Sequence, residues 1–117
     1  MTNRQEVEAF LTALKDKIRV FDVAFRRTDK NLEELAILEI PPIKRVEFLL
    51  SLTADHYYAG PKKDTYDTTK PDYYEFGMQV KGRDQYIKIS LGLPNKMADC
   101  MSFHIAEFLM TYPLKTT

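Results

Sequence analysis

The sequence predicts an α+β fold, with N-terminal helices packed on one face of a small antiparallel β-sheet. Three observations carry that prediction. Apolar residues recur at helical spacing from Val7 to Ile18. A second helical block follows a Pro-Pro break at Pro41-Pro42. Between Tyr73 and Ala106, three runs alternate with a period of two and are separated by turn residues. The 117 residues fit one domain, 1–117, with a single core.

Thr2 or Asn3 can cap the first helix, whose stripe Val7, Phe10, Leu11, Leu14 and Ile18 turns inward. Arg19–Arg26 is rich in β-branched and aromatic residues and reads as a short strand. Thr28 or Asp29 can cap a second helix through Leu38. Pro42 suits the first position of a third, Ile43–Leu52, with Val46, Leu49 and Leu50 inward. Thr53 can open a helical turn that Gly60-Pro61 stops, and polar, aperiodic residues 62–72 read as a mobile loop. Strands are expected at Tyr73–Lys81, Asp84–Leu91 and Ala98–Ala106, with Phe108–Leu114 an irregular tail packed on the domain.

Side chains alternate faces along a strand, so each run sorts into two sets. Tyr74, Phe76, Met78, Val80, Ile87, Ile89, Leu91, Met101, Phe103 and Ile105 form an apolar set for the helices to cover. The opposite set holds Tyr73, Glu75, Gln79, Lys81, Tyr86, Lys88, Ser90, Cys100, Ser102 and His104. Antiparallel sheets commonly show one solvated face. This one stands apart because an imidazole, an ammonium, a phenol and a carboxylate can converge on adjacent strands.

Lys and Arg number 17, and Asp and Glu also 17, so no global basic field marks a nucleic-acid binder. Any such role rests on a local patch, and residues 62–96 hold seven basic side chains against five acidic. Cys100 is the only cysteine, which excludes an internal disulfide framework and fits a reducing cytosol. His104 with Glu107 is too poor a set for zinc, so neither a metal nor a cofactor is expected. His56, beside Tyr57 and Tyr58, reads as structural. The first residues lack a basic-then-apolar leader, and no run approaches the ~18 apolar residues of a membrane span. A cytoplasmic location with no membrane partner is expected.

Five pieces occur in order: RTDKNLEELAIL, LSLTADHYYAGP, FGMQVKG, YIKI and SFHIAEFLMTYP. Over roughly residues 28–115 they resemble the MqsR (motility quorum-sensing regulator) toxins of type II toxin–antitoxin systems, which have a RelE-like fold. The resemblance implies a metal-independent endoribonuclease that cleaves single-stranded mRNA and is silenced by a cognate antitoxin protein. It places the family's sheet-borne tyrosine on Tyr86, the lysine two residues on at Lys88, and the basic residue of the last strand at His104. The polar residue of the first long strand falls on Glu75. One departure stands out: where the family carries a lysine after an aromatic pair, this chain has Ala59. Lys62 or Lys63 can supply that charge from nearby.

Metal-free RNA cleavage needs a base for the 2′-OH, an acid for the departing 5′-oxygen and cations for the phosphorane. An imidazole such as His104 can serve either proton role near neutrality. Lys88, with Lys62 or Lys63, suits the developing charge, and Tyr86 suits the phosphate. Glu75 can act as base or as an orienting group. Tyr57, Tyr58 and Tyr73 are available to stack on unpaired bases. Two alternatives share the same residues: a binding module that captures a protein by the sheet face or edge, and a degenerate toxin that binds its antitoxin but cuts poorly.

Overall fold

The computed structural model describes residues 2–26 and 42–116. The expected second helix, up to Leu38, lies outside them, as do the whole RTDKNLEELAIL piece and Pro41.

Helix α1 spans Arg4–Phe21, and Asn3 caps it by accepting the Glu6 N–H at 2.9 Å. Val7, Phe10, Leu11, Leu14 and Ile18 are buried, as their spacing predicts. The helix runs further than expected and absorbs Arg19–Phe21. Asp22, at φ 70°, ends it by donating its N–H to Ile18 O and accepting the Val23 N–H on its carboxylate. Strand β1 is therefore only Val23–Phe25. Helix α2 spans Pro42–Leu50. Thr53 then caps a single 3-10 turn, Ala54–His56, in which Thr53 N–H donates to His56 Nδ1 at 2.9 Å.

Strand β2, Tyr57–Lys62, forms where the sequence suggests a helical turn. Gly60, at φ 117°, lies hard against Tyr73 and Tyr74, so that only a residue without Cβ lets β2 approach β3 there. Strands β3 (Tyr73–Val80), β4 (Arg83–Ser90) and β5 (Ala98–Ile105) follow within one residue of the expected bounds. Lys81 and Gly82, both at positive φ, make the two-residue turn between β3 and β4.

The five strands lie in the order β1-β5-β4-β3-β2. The sheet is mixed, not wholly antiparallel as expected, because β1 lies parallel to β5. Asp22 O accepts the Ala98 N–H and Cys100 O the Arg26 N–H, which sets Val23 and Phe25 beside Ala98 and Cys100. Those four extend the apolar layer under α1. Phe76, Ile87, Ile89 and Phe103 form its centre, with Leu49, Leu52 and Tyr57 from the α2 side. Phe10 of α1 lies 4.1 Å, ring to ring, from Tyr74.

One bulge breaks the alternation of β5. Lys88 pairs with Ser102 and Ile89 with Cys100, which leaves Met101 as an extra residue in β5. The alternation slips by one. Cys100, expected on the polar face, is 1% exposed in the core, while Met101, the extra residue, stays buried at 7% exposure as expected but outside the main cluster. Ser90 also departs from a solvated role: it is buried, its Oγ accepting the Gly92 N–H.

Two connections are tied down. Of residues 62–72, expected to be a mobile loop, Lys62 belongs to β2 and the rest is held by buried Asp64, which accepts the N–H groups of Tyr66 and Asp67. Lys70 and Arg26 both reach Asp99, at 3.4 and 3.1 Å. Beyond β5, residues 106–116 form an irregular strap, as the tail was expected to do. Met110 packs on Gly77, Tyr112 donates to Asp84 at 3.1 Å, and Leu114 O accepts from Arg4 at 2.8 Å. Among the described residues no helix is long and apolar enough to cross a membrane.

Candidate functional site

The face away from α1 is organised as rows running across the strands, two residues apart along each. One row sets Tyr86 between Gly77 on β3 and His104 on β5. The next sets Lys88 between Glu75 and Ser102, with Ala59 of β2 opposite Glu75. A third sets Tyr73 beside Lys62 and Ser90. Tyr86, Lys88, His104 and Glu75 thus share one face and sit in two adjacent rows, because β3, β4 and this half of β5 keep strict alternation.

Tyr86 and His104 are direct cross-strand neighbours with ring centroids 5.4 Å apart. His104 Nδ1 lies 2.9 Å from Ile105 O. A carbonyl only accepts, so Nδ1 holds the proton and a neutral ring keeps the Nε2 lone pair free. Burial, then the Glu75 carboxylate, pushes the Tyr86 phenol well above its ordinary range, so it works as a neutral hydroxyl. Lys88 holds its ammonium 4.2 Å from the Tyr73 ring centroid, a cation–π contact. No carboxylate lies within ion-pair distance of it among the described residues.

Glu75 is buried, and Lys62 Nζ meets its Oε1 at 3.0 Å. The hydrogen bond and charge of Glu75 hold Lys62 above its ordinary value. Lys62 belongs to β2, not to a loop, and its ammonium reaches the row that Ala59 occupies. Lys63 lies past the strand end and is exposed, outside this cluster. Of the tyrosines expected to stack, Tyr57 is buried in the core and donates to Gly60 O at 2.6 Å. Tyr73 lies under Lys88, and Tyr58 lies against a ring that sequence reasoning left in the tail.

That ring is Phe108. Its centroid is 5.5 Å from Tyr58 and 5.5 Å from Tyr86, so the strap lays an aromatic side chain beside the Tyr86–His104 pair. The available signal was an apolar pair, Phe108-Leu109, just after a strand that ends on the polar face. Among the described residues, the face offers the His104 imidazole, the neutral Tyr86 phenol, the Lys88 ammonium and the Glu75-paired Lys62 ammonium. No group of three His, Cys, Asp or Glu side chains is arranged for a metal among the described residues. No family model, curated protein or solved structure matches this chain.

Proposed function

We propose that this chain is a metal-independent endoribonuclease acting on single-stranded mRNA, the toxin of a type II toxin–antitoxin system that works in the cytoplasm. One observation supports the reading most: Tyr86 and His104 face each other across β4 and β5, with Lys88 one row away. In this reading Nε2 of neutral His104 takes the 2′-OH proton, and the 2′-oxygen attacks phosphorus. The imidazolium so formed returns the proton to the departing 5′-oxygen, leaving a 2′,3′-cyclic phosphate. The Tyr86 hydroxyl and the Lys88 ammonium stabilise the charge on the phosphorane oxygens. Glu75 is a positioning residue here, since its carboxylate is buried and engaged by Lys62. Lys62 supplies the charge that the family likeness expects at Ala59, which favours an active toxin over a degenerate one.

The antitoxin of this reading is a protein that covers the face and sets acidic side chains opposite Lys88 and Lys62. Capture of a partner strand at a sheet edge is less well supported. β1 has three residues, and β2 carries Pro61 and two register shifts, both of which blunt an edge.

Incubation of the purified protein with single-stranded RNA in EDTA tests the proposal. Cleavage to 2′,3′-cyclic phosphate ends is expected, with His104→Ala slower by about 10²- to 10⁴-fold. No cleavage by the wild type, or undiminished cleavage by the variant, would end it.

A further inference from the structure

We infer that Phe108, carried on the C-terminal strap, is the platform on which an unpaired base of the substrate stacks beside the phosphate. This rests on the ribonuclease reading for the class of ligand. The other aromatic rings on the face are occupied. Tyr73 is covered by the Lys88 ammonium, Tyr86 lies between His104 and Phe108, and Tyr58 lies against Phe108. Among the described residues Phe108 is the most exposed of these rings, at 45%, and Leu109 next to it is 88% exposed.

An exposed phenylalanine on a tail would ordinarily be a poor platform, because ordering it on binding costs entropy. Here it is already ordered. Tyr58 meets it at an interplanar angle of 39° and Tyr86 at 69°, which fixes the ring from two sides. The strap itself is anchored just beyond it by Met110 on Gly77, by Tyr112 on Asp84 and by Arg4 on Leu114 O. Gly77 matters to this arrangement: a side chain there would meet Met110 and Tyr112 and lift the strap from the row.

Position supports the same role. Phe108 touches the ring of Tyr86, the partner of His104, so a base on Phe108 adjoins a phosphate held by Tyr86, His104 and Lys88. Phe108 meets Tyr58 of β2 and Tyr86 of β4, which puts the platform on the β3 side of Tyr86, with the imidazole on β5 at the other. A phenyl ring has no polar edge and every base has a π-face, so stacking here is tolerant of base identity. It demands only that a base be present and unpaired.

Three variants and one altered substrate test this. Phe108→Leu keeps an apolar contact with Tyr58 and Tyr86 but removes the π-face. It is expected to raise KM for single-stranded RNA by about 5- to 100-fold while kcat changes little, the reverse of His104→Ala. Phe108→Tyr is expected to restore KM. An RNA with one abasic position beside the scissile phosphate is expected to weaken on the wild type and to lose nothing further on Phe108→Leu. The chain has no tryptophan, so Phe108→Trp introduces a single reporter whose emission should quench on saturation with oligouridine. Cleavage with an unchanged KM in Phe108→Leu would overturn the inference and leave the ribonuclease reading intact. If the wild type does not cleave, that reading fails by itself. Oligouridine affinity, measured by fluorescence anisotropy, then decides: weaker binding by Phe108→Leu sustains the platform, and equal or absent binding removes it.

Discussion

Glu75 and Lys62 form an unequal pair, and the inequality predicts which partner matters more. The carboxylate is 7% exposed and the lysine side chain 50%. If Glu75 becomes Gln, the ammonium can turn to water, and the loss is one charged hydrogen bond in a half-solvated setting, about 1 kcal/mol. If Lys62 becomes Met, the carboxylate stays buried without its cation, which costs about 2–3 kcal/mol. Urea unfolding of Lys62→Met should therefore show the lower midpoint, and the double variant should recover most of the difference. The reverse order would mean that Lys62, not Glu75, is the group held out of water. The buried thiol shows the same dependence on surroundings: burial pushes Cys100 up to about 12, so it stays an inert core side chain at neutral pH.

Between elements, the strap and β3 meet at Gly77. An ideal Cβ there would lie 2.5 Å from Tyr112 Oη and 2.8 Å from Met110 Sδ. Both are ends of flexible side chains, so Gly77→Ala is expected to displace the strap and not to break the sheet. A loss of about 1 kcal/mol, the low end for overpacking, should appear in urea unfolding, together with faster proteolysis after residue 106. An unchanged cleavage pattern would show that the strap is not seated on Gly77. The same elements show what was legible in the sequence. Strands β3 and β4 were, because Tyr74, Phe76, Ile87 and Ile89 alternate without interruption. Strand β2 was hidden by Gly60-Pro61, which reads as a stop when local chemistry is the only guide. The slip at Met101 was also hidden, since Cys100 and Met101 are both acceptable on either face and only pairing with Ile89 decides between them. Tyr86, Lys88 and His104 could be placed together because they lie on the regular side of that slip. Phe108 could not, since a non-local contact across the sheet has no period.

At the scale of the molecule, stability should carry a mark of His56. Burial lowers its pKa from the ordinary imidazole value against the pull of the Asp55 carboxylate, with Lys15 and Lys115 adding repulsion, and the N–H donated by Thr53 is available only to the unprotonated Nδ1. The unfolded ring titrates near about 6.5 and the folded ring lower, so the unfolded chain binds more protons between those values. Stability from this group is complete above the unfolded value and falls as pH drops through the folded one. Urea midpoints between pH 7.5 and 5.5 should decline for the wild type and flatten for His56→Gln. An equal decline in both would assign the effect elsewhere. The 3-10 turn that His56 closes also holds Asp55, which meets Arg4 at 2.9 Å, and Arg4 holds the strap at Leu114. Because one end of the strap is fixed there and the other bears Phe108, ligand occupancy and anchoring are thermodynamically reciprocal. On the ribonuclease reading, a nucleotide on the ring should slow amide hydrogen exchange across residues 106–116, and Arg4→Ala, which removes the Leu114 anchor, should weaken that nucleotide's hold.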